Sequence, residues 1–397
     1  MKDLIIQQAD ALYEELVSHR RRLHACAETG FDLQHTRDYV REQLAKMGYS
    51  PREFGRCGIV ADIGIGKKTI LLRADMDALP IREETGLNYA STNGNMHACG
   101  HDMHTAMLLG AAKLLKAHEK DLKGRVRLLF QPAEEIFEGA RDMIARGALD
   151  GVDAAMMIHV TVGAPLPTGT AIISSPGVSA PAADYFTIEV RGRGCHGSAP
   201  QDGVDAITAA AHILIAHQEL QARELGIGDK TVLTIGTIQG GTAPNAIAGT
   251  VTMGGTLRTL DEHLRTRIKT RMAEISRGIA AAFRAEAEVR FGSGCPSLKN
   301  DPAISENVTK YLKDLLGNPC AYTTRELNPD GGPSAGGSED FAYISRKIPA
   351  VMVALAAGNP SKGYTWPLHH PKVRFDEEAL PTGAAIHAYC ALKWLAE

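Results

Sequence analysis

Apolar residues recur at helical spacing over positions 3–24 and again over 35–47, where Gly48 stops the run. The period then shortens. Strands are predicted at 58–63 and 69–75, joined by Gly-Ile-Gly-Lys. The Gly64/Gly66 pair reads as a hairpin turn and not a phosphate loop, because neither a helix start nor Lys-Ser/Thr follows it. Thr105–His118 reads as a helix, Val126–Gln131 as a buried strand, Ala140–Arg146 as a short helix and Ala154–Val160 as another strand. Strands and helices in alternation predict an α/β sheet covered on both faces.

Ser174-Ser175-Pro176-Gly177 breaks the pattern, and a different order follows. A strand at 184–191 precedes a helix near 202–222 and strands near 231–238 and 247–258. A long helix then carries Leu264, Ile268, Met272, Ile275, Ile279 and Phe283 at spacings of three and four, and a strand closes the series at 286–291. That βαββαβ order is a ferredoxin-like split unit. Helix and strand alternate again over 303–397, so the unit reads as an insertion. The expected organisation is a discontinuous domain of residues 1–178 and 295–397 interrupted by an inserted domain of 179–294.

Composition supports two domains and narrows the partners. A chain of 397 residues is longer than one ordinary core. A formal net charge of −3 supplies no electrostatic reason to expect nucleic acid or an anionic membrane. The Arg20-Arg21-Arg22 run, on a helical pattern with Glu14 and Glu15, reads as a solvated face. No signal peptide and no apolar run of membrane-spanning length is apparent. Seven scattered cysteines without CxxC spacing fit reduced thiols better than a disulfide framework, and a cytoplasmic location is expected.

Five segments carry chemistry. Residues 96–104 place one thiol and three imidazoles in nine positions, the side chains that borderline-soft metals prefer. Gly100 between Cys99 and His101 implies a tight turn that lets both face one ion. Asp75 and Asp77 end an apolar strand, where ligands commonly bind in α/β sheets; loop capping before Pro80 is the alternative. Glu134 and Glu135 follow another strand, so one can hold a metal while its neighbour serves as a general base; a favoured Glu at a helix start is the other reading. His159 ends a third apolar strand, either as a ligand or as a hydrogen-bonded core histidine. His369-His370-Pro371 lies in a loop, as ligands or as solvated residues. Together they supply a two-metal donor set of Cys, His and carboxylate.

These motifs resemble the M20 metallopeptidase family, in its amidohydrolase branch of hippurate hydrolases, N-acyl-amino-acid amidohydrolases and auxin-conjugate hydrolases. The likeness rests on Arg-Ala-Asp-Met-Asp-Ala-Leu-Pro, His-Ala-Cys-Gly-His-Asp-Met-His-Thr-Ala-Met-Leu-Leu-Gly-Ala-Ala, Gln-Pro-Ala-Glu-Glu, Gly-Cys-His-Gly-Ser-Ala-Pro, Ala-Pro-Asn-Ala-Ile-Ala, Gly-Ser-Glu-Asp-Phe and Leu-His-His-Pro. The resemblance implies a mixed-sheet α/β/α metal-dependent hydrolase domain with an inserted lid and dimerisation domain. It implies a bridging Cys99 thiolate with His101, Glu135, His159 and His369 as the other ligands of two divalent ions, of Zn, Mn, Co or Ni type. Glu134 would be the general base on metal-bound water and Asp77 an orienting carboxylate. His196, contributed from the partner subunit of a homodimer, Asn245 and Arg258 would contact substrate, with Gly337 and Ser338 lining the pocket for its carboxylate.

The expected reaction is hydrolysis of an N-acyl amino acid, hippurate-like or N-acetylated, to a carboxylic acid and a free amino acid. A dipeptidase or N-acetyl-diaminopimelate deacetylase of the same family is the alternative. Two rival readings differ in kind: Cys99 as a nucleophile with a histidine base, and a metal-dependent binding protein without turnover. Three positions depart from the family pattern. Met103 stands where glycine is frequent, and His370 where a small polar residue is usual. The segment His24-Ala25-Cys26-Ala27-Glu28 lacks the common proline. Met103 and His370 are expected to affect pocket shape or to let His370 compete with His369 as a ligand, and His97 and His104 to support the ligands.

Overall fold

The computed structural model describes residues 1–163, 165–329 and 337–397, which group into two compact units. One comprises Met1–Ser179 with the described residues of 298–329 and Asp340–Glu397; the other comprises Ala180–Ser297 with 337–339.

The apolar run at 3–24 is two helices, α1 (Lys2–Ala11) and α2 (Tyr13–Ala25), and not one. Nothing in the sequence marks the break, because Leu12 keeps helical angles while its N–H closes a tight turn on Ala9 O at 3.0 Å. Along the chain there follow α3 (Gln34–Lys46), β1 (Arg52–Phe54), β2 (Gly58–Ile63), β3 (Thr69–Asp75), α4 (His101–Ala117), β4 (Arg125–Gln131), α5 (Gly139–Ala145), β5 (Ala154–Thr161), β6 (Ala171–Ile173) and β7 (Gly177–Ala180). Helix α4 begins four residues before the apolar period suggests, because its first turn buries polar side chains: His101, Asp102 and His104 are all inaccessible to solvent.

The second unit contains β8 (Ala182–Arg191), β9 (Cys195–His196), α6 (Ala206–Glu219), β10 (Thr231–Gly240), β11 (Ala246–Ile247), β12 (Thr250–Thr259), α7 (Glu262–Ala282) and β13 (Glu286–Cys295). Its antiparallel sheet runs in the order β10-β12-β8-β13, the ferredoxin-like arrangement of a βαββαβ chain. Alternate residues of β8, among them Phe186, Ile188 and Val190, pack against Ile213 of α6 and Ile268 and Met272 of α7. Both helices start on aspartate caps: Asp205 accepts from the N–H groups of Ile207 and Thr208, and Asp261 from that of Leu264.

The chain then returns to the first unit with β14 (Leu298–Asn300), α8 (Pro302–Leu316), β15 (Ala321–Thr323), α9 (Thr324–Leu327), α10 (Ala342–Ser345), β16 (Ala350–Ala356) and α11 (Ala379–Ala396). Its mixed sheet has the order β1-β2-β4-β3-β5-β16-β6-β15. Strands β4, β3, β5 and β16 are parallel neighbours, so their carboxyl ends open on one side.

Because β4 lies between β2 and β3, the Gly64/Gly66 segment is not a hairpin turn. It crosses the end of β4, and a Cβ on Gly64 would collide with the carbonyl of Gly124. The glycines are required by that close approach and by positive φ, not by a two-residue turn.

The Arg20-Arg21-Arg22 run is a solvated face at Arg21 and Arg22 but not at Arg20. Arg20 is 1% exposed and meets buried Asp102, Tyr89 and Glu377. Met103 lies wholly inside the core, so its size is absorbed by packing. Among the described residues no helix is long and apolar enough to cross a membrane. None of the seven cysteines, all among the described residues, is in a disulfide.

Candidate metal centre

The centre forms where β3, β4 and β5 end and α4 begins. Cys99 precedes Gly100, which caps α4 at φ 91°, a left-handed conformation that side chains disfavour. A Cβ there would strike Val160 Cγ2 and lie 3.1 Å from the Phe375 ring. The turn places Cys99, His101 and His159 ligand atoms within 4.8 Å of one another. Cys99, Glu135 and His369 form a second such group, so the thiol belongs to both. Glu134 joins His101 and Glu135 in a third.

Hydrogen bonds decide which imidazole nitrogens face the centre. His101 Nδ1 donates to the Asp77 carbonyl at 2.8 Å, leaving Nε2 as a lone-pair donor. His159 Nδ1 donates to the Val160 carbonyl at 2.7 Å, and its Nε2 lies 3.5 Å from Cys99 Sγ. His104 differs. Its Nε2 accepts the Val160 N–H at 2.8 Å while Nδ1 donates to Asp75 at 2.5 Å, so both nitrogens are engaged within the protein. His104 therefore supports the β5 end that carries His159. His97 is buried without a hydrogen-bond partner on either ring nitrogen, and burial pushes it down to about 3, a neutral imidazole.

His369 enters from the loop before α11. It holds a left-handed φ of 64°, and its N–H donates to the Ala98 carbonyl at 2.9 Å. Its Nε2 lies 3.8 Å from Glu135 Oε1. His370 does not compete with it. Its ring stacks on Trp366 at 4.1 Å, and Nδ1 accepts from the Lys372 N–H.

The two glutamates sit on a turn flanked by Ala133 at φ 55° and Phe137 at φ 57°. The Asp77 carboxylate holds that turn, accepting the Glu134 N–H at 3.0 Å and the Glu135 N–H at 3.1 Å. Asp75 and Asp77 thus divide their work. Asp75 grips His104, and Asp77 grips the glutamate turn and, through its carbonyl, His101.

The donor set fits divalent metal ions. His101 Nε2 and Glu135 Oε1 are buried, have no hydrogen-bond partner and lie 3.8 Å apart. Ligands of one ion at about 2.1 Å each are separated by about 3 to 4 Å, so that gap suits a shared cation and not a hydrogen bond. Burial, with Asp77 and Asp75 adding to it and His101 opposing, pushes the Glu135 carboxyl up to about 7. A cation relieves that crowding of negative charge.

The predicted substrate contacts fall in the second unit. Pairing of β9 with β11 sets His196 opposite Ala246, and the Gly197 N–H donates to the carbonyl of neighbouring Asn245 at 2.8 Å. Both side chains are exposed, and His196 Nδ1 is 2.7 Å from Ser198 Oγ. Arg258 near the end of β12 donates to Ser338 Oγ at 2.5 Å, and Gly337 is exposed beside it.

Sequence reading passed over Arg73, Gln131 and Asp340, which are fully buried next to the glutamate turn. One signal was available: Arg73 interrupts the otherwise apolar Thr-Ile-Leu-Leu-Arg-Ala, and a charged residue inside a strand buried at every position needs a partner.

Fold and donor set define a metal-dependent hydrolase of amide bonds. The chain belongs to peptidase family M20/M25/M40, whose model matches residues 71–393. It is 39% identical over 373 residues to N-acetyl-L-cysteine deacetylase of Bacillus subtilis (strain 168), spanning 93% of this chain and 85% of that one. It is 36% identical over 403 residues to IAA-amino acid hydrolase ILR1-like 2 of Arabidopsis thaliana, spanning 100% and 89%. A solved structure of the Bacillus subtilis YxeP protein, a dinuclear metal-binding peptidase of the M20 family, aligns with a TM-score of 0.80 at 32% identity. That alignment covers 98% of this chain and 99% of the other.

Proposed function

We propose that the protein hydrolyses the amide bond of N-acyl amino acids, releasing a carboxylic acid and a free amino acid, with Glu134 as general base. The observation that carries this reading is the shared donor set. Cys99 stands in one group with His101 and His159 and in another with Glu135 and His369, and Glu134 borders both. The relatives named for N-acetyl-L-cysteine and IAA-amino acids point to an acyl group on an amino-acid nitrogen as the substrate class.

Cys99, His101, Glu135, His159 and His369 would hold two divalent ions, which would polarise the scissile carbonyl and lower the pKa of a water to about 7. Glu134 does the proton work. Its Oε1 accepts the Asp340 N–H at 3.2 Å, while Oε2 faces the centre, 4.0 Å from His101 Nε2. Oε2 takes one proton as the water oxygen adds to the carbonyl carbon, then delivers it to the nitrogen as the C–N bond breaks. In this reading His196 from the second subunit of a homodimer steadies the oxyanion, and the 179–294 insertion is the lid and dimerisation domain. Asn245, Arg258, Gly337 and Ser338 hold the rest of the substrate, including its carboxylate.

Purified protein assayed on N-acetyl and N-benzoyl amino acids with added Zn²⁺, Mn²⁺ or Co²⁺ tests the proposal. Glu134→Gln is expected to keep two metal equivalents and lose about 10²- to 10⁴-fold in kcat. Full turnover in that variant refutes Glu134 as the base, and no release of amino acid from any N-acyl substrate refutes the reaction.

A further inference from the structure

We propose that Asp340 is a positioning residue for Glu134, locking the base through a buried network that also reaches the end of β5, the strand that carries His159. The inference rests on Glu134 being the base. The Asp340 N–H is the donor at 3.2 Å to Glu134 Oε1, which directs the other oxygen of that carboxylate to the centre.

That peptide group is held by its own side chain. Asp340 Oδ1 accepts from Arg73 Nη2 at 2.8 Å and from Gln131 Nε2 at 2.8 Å. Oδ2 lies 2.9 Å from the same amide nitrogen and 2.9 Å from the Ala140 N–H. Arg73 is on β3, Gln131 ends the paired strand β4, and Ala140 is in the first turn of α5, so three elements fix one carboxylate. Arg73 Nε also donates to Gln131 Oε1 at 3.0 Å, closing the ring.

The same guanidinium continues the network. Arg73 Nη1 donates to Asp75 at 2.5 Å, Asp75 accepts from His104, and His104 accepts the Val160 N–H next to His159. One buried cation thereby sets the base on one side and the end of a ligand-bearing strand on the other. Arg73, Asp75, Gln131 and Asp340 are all 0% exposed. Replacing such buried ion pairs with well-packed apolar residues is often neutral or stabilising. A network kept despite that alternative, and ending on both the base and a ligand strand, is built for geometry.

Steady-state kinetics and metal content of Asp340→Asn, alone and combined with Glu134→Gln, form the test. Displacement of a reacting group by about 1 Å can lower the rate by about a hundredfold, so Asp340→Asn is expected to lose about 10- to 100-fold in kcat. KM should stay within about twofold and metal at the wild-type stoichiometry, as expected of a group acting only on the chemical step. In the Glu134→Gln background, measured at high enzyme concentration over long incubations, Asp340→Asn should cause no further loss. Gln131→Met keeps the Arg73–Asp340 charge pair and serves if Asp340→Asn does not fold; a smaller kcat loss with the same non-additivity is expected.

Unchanged kcat, a loss that tracks lost metal, or losses that multiply in the double variant overturn the inference. Inactive Glu134→Gln with multiplying losses overturns the Asp340 role alone. Active Glu134→Gln overturns the base as well.

Discussion

Replacing Arg20 with methionine should strand a buried carboxylate beside the metal centre. Asp102 follows His101 in the first turn of α4 and is 0% exposed. Burial disfavours its charge, but Arg20 and His24 outweigh burial and hold the carboxyl far below the ordinary carboxylate range. Arg20 Nε donates to Asp102 at 2.8 Å; its Nη1 donates to the Tyr89 hydroxyl at 2.7 Å and to Glu377 at 3.0 Å. Glu377 keeps Arg21, which donates to it at 3.0 and 2.6 Å, so that partner is not stranded. The loss therefore falls on Asp102 and Tyr89.

Removing one partner of a buried pair destabilises by about 3–5 kcal/mol. His24 remains 2.9 Å from Asp102, and its hydrogen bonds to Asp102 and Glu83 raise its pKa against burial; that remaining partner favours the lower end, about 3 kcal/mol. In a unit of this size about 2 °C of Tm accompanies each kcal/mol, so thermal unfolding near pH 7.5 should drop by about 6 °C. The double variant Arg20→Met with Asp102→Asn removes the stranded charge and should regain at least half of that.

The sign with pH follows from the depressed folded pKa. The Asp102 contribution is fully present above the unfolded value of about 3.9 and is lost as pH falls below it. In Arg20→Met the carboxyl protonates more readily, so the gap between the two proteins narrows as pH falls from about 5 towards 3. A Tm for Arg20→Met within the error of wild type, or a double variant no more stable than Arg20→Met, refutes the reasoning.

Two other perturbations probe the ligand turn and the metal. Gly100→Ala forces a side chain into a left-handed φ and into Val160, so it should lose about 1–3 kcal/mol in denaturant melts and bind metal more weakly; normal stability and loading would contradict the assigned turn. Exhaustive chelation should abolish amide hydrolysis and lower Tm, since buried His101 Nε2 and Glu135 Oε1 have no other partner, and added Zn²⁺, Mn²⁺ or Co²⁺ should restore both. Turnover that survives metal removal would favour Cys99 as a nucleophile instead.

The ligand types stood out in the sequence because thiol, imidazole and carboxylate groups are costly to bury without a purpose. The elements that carry them were also visible, since β3, β4 and β5 are largely apolar segments buried along nearly their whole length, as parallel strands are. Pairing was not visible. Arg73 and Asp340 are 267 residues apart, and Arg20 and Asp102 are 82 apart. On a helix a buried arginine with a distant partner has the same local pattern as an exposed one, which is why Arg20 reads as solvated with its exposed neighbours Arg21 and Arg22. The β2–β3 connection failed for the same reason: its glycines fit a hairpin locally, and only the sheet order, with β4 between, excludes one.

The backbone strain at the centre follows from that long-range pairing. Among the described residues, four that are not glycine have positive φ, and three of them, Ala133, Phe137 and His369, border the ligands and the base. Left-handed angles at such residues cost about 1–3 kcal/mol each and persist only where the surroundings over-determine them. Here the restraints are identifiable. Asp77 takes both glutamate N–H groups, the Phe137 N–H donates to the Glu134 carbonyl at 2.8 Å, and the His369 N–H donates to Ala98 at 2.9 Å. The last two join a strained residue to a segment that carries a ligand or the base, and Asp77 holds the two residues that follow strained Ala133. The strained turns and the donor set are therefore one construction: loosening a clamp such as Asp77 should relax the Glu134–Glu135 turn and misplace a ligand and the base together.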